Sequence, residues 1–295
     1  RMDYGFCLPY MKENLTREVF LSWARMIDGG PFASLSCGER ITGPTVDMRG
    51  VLAAAAAVTE RVRIVPSLYV LPMHDAVRAA KEIATLDVLS AGRVEVVVGV
   101  GGREVDYRAV GASFERRHQR MDEQVSEMRH IWRGEPPFQG ADPVGPTPVQ
   151  AGGPPIHAGV MGPKAMARAA RWADGVYVWS GNGEKAEIER LLALADKSWE
   201  VAQRNRPPRR IGGFWYSLAP QDPQQKLHDY VFDYLRVFGD KVANAMAAGV
   251  NRSTPDAVRA AIDDLEAAGC EEIFLVPATA EIAEVERVAE ILESR

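Results

Sequence analysis

What the sequence lacks narrows it first. It has only three cysteines, Cys7, Cys37 and Cys270, scattered and odd in number, with no C-x-x-C pair. A disulfide framework is excluded, and a reducing cytoplasm is the expected compartment. No long apolar run is present. The longest, Val51 to Val58, is far below the roughly 18–20 residues of a membrane span. The opening Arg1-Met2-Asp3-Tyr4 has no basic region followed by an apolar stretch, so no secretory signal is expected. Basic charge is not in excess: 35 Lys plus Arg stand against 40 Asp plus Glu, a net charge of −5. That argues against nucleic acid or an acidic membrane surface as partner. Histidine is scarce and dispersed. His74, His118, His130, His157 and His228 form no H-x-H or H-E-x-x-H, which leaves no zinc-hydrolase signature and no expected metal.

What is present is a regular alternation. Apolar runs at Asp3–Leu8, Ala33–Cys37, Val62–Val70, Val94–Gly99, Pro155–Val160, Gly175–Trp179, Ile211–Leu218 and Glu272–Val276 read as strands buried on both faces. Helical patterns lie between them: Thr16–Asp28, Asp47–Glu60, Asp75–Leu89, His118–Trp132, Pro163–Ala173, Glu184–Arg204, Gln224–Met246, Pro255–Ala268 and Glu281–Leu292. Eight strand–helix units over 295 residues predict a single (β/α)8 barrel covering 1–295, with insertions near 135–154 and 219–253. A doubly wound sheet is the alternative. Its dinucleotide fingerprint fails here, because Gly99-Val100-Gly101 follows the fourth strand and Glu104 stands at the third glycine position.

In such a barrel the chemistry gathers at the C-terminal ends of the strands. Glu39 and Glu104 fall there and have the residue types of a glycosidase pair, though nothing else indicates a sugar site. Lys164, a Schiff-base type, falls just inside a helix. Gly159-Val160-Met161-Gly162-Pro163-Lys164 joins a strand to a helix start. Glycines, free N–H groups and a lysine charge there suit a phosphate; a plain Gly-Pro helix start is the other reading. Gly99–Gly102 is either a surface for a flat ring or a turn.

Several stretches carry a family resemblance: Thr59–Ile64, Ala80–Arg93 with its Ala-Thr-Leu-Asp and Ser-Ala-Gly-Arg, Val98–Gly101, Pro154–Ile156, Ala173–Gly175 and Thr254-Pro255-Asp256. In these the chain resembles the luciferase-like superfamily of flavin- and deazaflavin-dependent oxidoreductases, from residue 3 to about 180 and again from 250 onward. The resemblance implies a luciferase-like barrel, a homodimer, and a flavin or deazaflavin in the mouth acting on a small-molecule substrate. Members with the deazaflavin coenzyme F-420 often have Gly-Pro after strand five, as at Gly162-Pro163, where flavin mononucleotide (FMN) members often have Gly-Gly-x-Ser. The expectation is therefore an F-420-dependent oxidoreductase. A reduced-FMN-dependent monooxygenase is the alternative, and a barrel that binds cofactor without catalysis is the second.

The resemblance also assigns residues. It places Glu39 near the ring, and Arg40 where sugar-phosphate dehydrogenases of the family have a catalytic histidine. Ser67-Leu68 falls at the family's cis bulge behind the ring, with Val70 beside it. Glu104 falls near the proton donor, in a loop about one residue shorter. Gly102 replaces an aromatic before Arg103, leaving more room over the ring. Gly159 to Lys164 would take the phosphate end. Because a guanidinium keeps its proton, Arg40 is expected to hold an anion or stabilise developing negative charge. Proton transfer then falls to Glu104, or to Glu39 if the shorter loop aims Glu104 away.

Overall fold

Eight short apolar segments lie side by side, all parallel, and close into one barrel. They are β1 (Asp3–Cys7), β2 (Ser34–Cys37), β3 (Arg63–Val70), β4 (Val96–Gly99), β5 (Ile156–Gly159), β6 (Gly175–Tyr177), β7 (Arg209–Tyr216) and β8 (Glu272–Pro277). The ring closes where β1 pairs with β8, Asp3 opposite Glu272. The computed structural model describes residues 2–295. All eight predicted strands are present. Their continuous apolar character has a direct cause: Val96, Val97 and Val98 are all fully buried, facing the lumen or the surrounding helices.

Short-range signals start most of the helices. Thr16 accepts the Val19 N–H at the head of α1 (Arg17–Gly29). Asp47 does the same for α2 (Met48–Ala57), and Asp75 for α3 (Ala76–Leu89). The outer layer continues with α4 (Glu104–Val110), α5 (Arg117–Trp132), α6 (Pro163–Ala169) and α7 (Lys185–Val201). It is completed by α8 (Pro223–Leu235), α9 (Asp240–Gly249), α10 (Pro255–Ala267) and α11 (Ala283–Glu293). On α5 the residues Val125, Met128 and Trp132 face inward, as their spacing predicts.

Two helical expectations are corrected and one helix was not expected. The single helix over Gln224–Met246 is two, α8 and α9, separated by a 3-10 turn at Arg236–Phe238 and by Gly239 at φ +103°, where a helix cannot continue. The helix at Pro163 stops at Ala169 rather than Ala173. The sequence reading missed α4; its seven residues, ended by Gly111 at φ +72°, are too few to show a helical period.

The N-terminal end of the barrel is closed by ions. Arg63 and Arg209 each reach both Asp3 and Glu272, at 2.8–3.1 Å, and His157 Nε2 lies 3.0 Å from Glu95. In barrels of this kind the opposite end, where the strands finish, is the one that carries chemistry.

Candidate active site

At the C-terminal end of the strands lies a cavity of about 490 Å³. Its floor is set by Leu68. The Ser67–Leu68 peptide is cis, as the resemblance implies, and the β3–β4 register shifts between Ser67 and Tyr69. The Leu68 side chain fills the space that two glycines leave. A Cβ on Gly99 would lie 2.7 Å from Leu68 Cδ1, and one on Gly159 would lie 2.3 Å from Cδ2. Gly99 is thus room for Leu68, not a bare surface for a ring.

The end of β2 supplies the ionisable groups. Gly38 has no side chain because the Tyr10 ring occupies that place, 2.4 Å from a would-be Cβ. Beyond it stand Glu39 and Arg40, both withdrawn from full solvent exposure. The Glu39 side chain is 5% exposed. Its Oε1 lies 2.5 Å from His74 Nε2 and its Oε2 accepts the Val70 N–H at 2.7 Å. His74 is fixed in turn, its carbonyl accepting from Arg120 and Gln124 of α5.

Arg40 has a different environment. Its Nη1 meets only the Met11 sulfur, at 3.9 Å, and its Nε is buried with no partner. Burial, and then the like charge of Arg103, lower its pKa. Its charged form is the costly one here, although arginine remains protonated.

The expected proton donor is elsewhere. Glu104 is the first residue of α4, exposed, and not part of the cavity wall. The carboxylate that this segment brings to the wall is Asp106, which sequence reasoning missed. It ties two loops together. Oδ2 accepts from Ile41 N at 3.0 Å and Arg103 Nε at 3.3 Å, and Oδ1 from Thr42 N at 3.1 Å and Thr42 Oγ1 at 2.5 Å. Burial alone would raise the Asp106 carboxyl, but the Thr42 and Ile41 hydrogen bonds and the Arg103 charge outweigh it and hold it below the usual range. It stays ionised and structural. Arg103 also donates to Thr42 Oγ1 at 2.9 Å.

The remaining walls are apolar. Val70 and Met73 stand beside Leu68, and Tyr107, which also lines the wall, donates its hydroxyl to the Val100 carbonyl. Aromatic rings make up another side. Tyr177, Trp179, Trp215 and Tyr234 follow one another edge to face, with centroids 6.2, 5.0 and 5.3 Å apart. Burial keeps the Tyr177 phenol neutral by raising its pKa well above its ordinary value. Tyr230, Tyr234 and Phe238 come from the segment after β7, for which no motif was evident. Phe238 corrects the reading of Gly102: a Cβ there would meet Phe238 at 2.8 Å, so the room left by the glycine is filled from α8's end.

In the β5–α6 loop, Gly159, Val160 and Met161 belong to the cavity wall, whereas Gly162, Pro163 and Lys164 lie beyond it at the start of α6. Lys164 is exposed. Among the described residues no group of three His, Cys, Asp or Glu side chains could hold a metal ion, and no helix is long and apolar enough to cross a membrane.

Known proteins share this architecture. An uncharacterized protein of Mycobacterium tuberculosis is 33% identical over 174 residues, 57% of this chain and 61% of that one. The chain thus spans about three fifths of the length of the first curated relatives it matches. The FMNH(2)-dependent dimethylsulfone monooxygenase of Pseudomonas putida is 29% identical over 265 residues, 84% of this chain and 68% of that protein. An F420-dependent secondary alcohol dehydrogenase superposes with a TM-score of 0.79 over 100% of this chain and 99% of that one, and at 17% identity that likeness shows the fold. The sequence pattern of the luciferase-like monooxygenases matches residues 13–294. The chain therefore belongs to the luciferase-like monooxygenase family.

Proposed function

We propose that this oxidoreductase transfers a hydride between coenzyme F-420 and a small organic substrate in the cavity at the barrel mouth. The observation that carries the reading is Glu39 in the wall of a largely apolar cavity floored by Leu68, with His74 paired to it from behind the wall. A flat ring system would lie in that slot against Leu68 and Val70, with Gly102 and Arg103 in the adjoining wall, and the loop from Gly159 to Lys164 would take its phosphate end, the exposed Lys164 standing just beyond the wall. When bound, the deazaflavin supplies hydride transfer, and the protein supplies position, charge and exclusion of water.

Hydride transfer needs a proton to move in step. Glu39 is the carboxyl group we assign to that role, taking over from the exposed Glu104. It faces the cavity with His74 behind it, so a proton passed to or from substrate at Oε1 or Oε2 can be replaced through the imidazole. Arg40 does not move a proton; it binds or stabilises negative charge.

A second reading, a reduced-FMN-dependent monooxygenase, is favoured by the Pseudomonas putida relative. Titrating the purified protein with F-420 and with FMN separates them, followed by stopped-flow spectra under nitrogen and in oxygen. Binding of F-420 with anaerobic hydride transfer supports the proposal. Tight FMN binding with oxygen consumption supports the second reading. Cofactor binding without turnover would leave a binding barrel.

We also propose a homodimer. Between α2 and α3 runs an apolar groove of about 310 Å³, lined by Met48, Leu52, Ala53, Leu86 and Leu89, and Leu89 is 52% exposed.

A further inference from the structure

Among the charged side chains of the cavity wall, Arg40 stands apart. Glu39 has both oxygens engaged, by His74 and by the Val70 N–H. Asp106 accepts four hydrogen bonds, one of them from Arg103. Arg40 forms no ion pair among the described residues, and its buried Nε has no partner. A guanidinium partly withdrawn from water without a counter-ion is costly, and an anion that docks on it recovers the loss. The planar fork suits a carboxylate, which it binds through two parallel N–H donors. Tyr10 and Tyr234 line the same cavity. From Tyr234 the edge-to-face chain runs through Trp215 and Trp179 to Tyr177. One unanswered cation therefore shares the cavity with an aromatic wall.

We propose that the substrate is a planar aromatic acid whose carboxylate pairs with Arg40 while its ring lies against Trp215, Trp179 and Tyr177. This rests on the cavity being the active site proposed above. It adds the substrate class, which neither the fold nor the cofactor determines.

The test uses matched probes, 1-naphthoate with 1-naphthamide and benzoate with benzamide, titrated by calorimetry into the protein with and without saturating cofactor. The acid is expected to bind about tenfold or more tightly than its amide. Arg40→Gln is expected to level the two, and Arg40→Lys to keep part of the preference. Three results overturn the proposal. The first is equal affinity for acid and amide, or no binding of either at millimolar concentration, on the unaltered protein, which needs no variant to fold. The second is a preference that survives Arg40→Gln. The third is a loss of F-420 and FMN affinity in Arg40→Gln, since the anion on Arg40 would then belong to the cofactor. Failure of the cofactor reading shows separately, as absence of F-420 and FMN binding to the unaltered protein with no aromatic probe present.

Discussion

Glu39 stands between the cavity and His74, with the Val70 N–H on its second oxygen. Two functions meet in that side chain, and substitution can separate them. Glutamine still offers an oxygen to Val70 but cannot give up or take a proton in the working range. Glu39→Gln is therefore expected to lower turnover about a hundredfold or more with cofactor affinity changed only a few-fold. Glu104→Gln, on the exposed start of α4, is expected to stay within about twofold of wild type in both measurements. Steady-state kinetics and a fluorescence titration check the pair. Normal turnover in Glu39→Gln, or a large loss in Glu104→Gln, reverses the assignment.

Among the elements, the ends of β3, β4 and β5 act together because Leu68 occupies the space beside Gly99 and Gly159. Gly159→Ala drives a methyl group into that leucine. Its far atoms can shift, and with Gly99 on the other side the open direction is toward the cavity. The expected outcome is a roughly tenfold loss of cofactor affinity with the fold intact, partly restored when Leu68→Ala is added. A double-mutant cycle measures this coupling.

A second element contact joins the end of β7 to α11. Glu284 is fully buried, accepts from the Leu218 N–H at 2.5 Å, and has a second oxygen with no partner. Burial pushes its carboxyl up to about 7 from 4.5. Between those pH values the folded protein holds a proton that the unfolded chain has released. Stability must therefore fall as pH rises through that window, and the loss is complete above it. Glu284→Gln is expected to flatten this part of the profile and to melt a few degrees higher than wild type near pH 8, with little difference near pH 5. Thermal melts across that range decide it, and an unchanged slope in the variant removes Glu284 as the cause.

For the whole molecule, the barrel places ion pairs at one end, the lined cavity at the other, and an apolar groove on its flank between α2 and α3. If that groove is covered by a second copy, Leu89→Glu is expected to turn a dimer into a monomer in sedimentation velocity while cofactor affinity is kept. An unaltered protein that sediments as a monomer at every concentration refutes the interface.

The eight strand–helix units, the caps at Thr16 and Thr254, and the inward face of α5 at Val125, Met128 and Trp132 were legible in the sequence. Periodicity and capping are short-range properties, decided within a few residues. The resemblance located the cis peptide before Leu68. The partners were not legible, because they meet only when the barrel closes. Glu39 meets a histidine 35 residues away, and Asp106 binds a loop 64 and 65 residues before it. The choice between Glu104 and Asp106 shows the reason most plainly. Two residues apart on a helix of 3.6 residues per turn, they point to nearly opposite sides. The sequence by itself put a carboxylate-bearing segment after the fourth strand, at the mouth; only the packing of α4 against the β2 loop decided that Asp106 faces the wall, and turned Glu104 out to solvent.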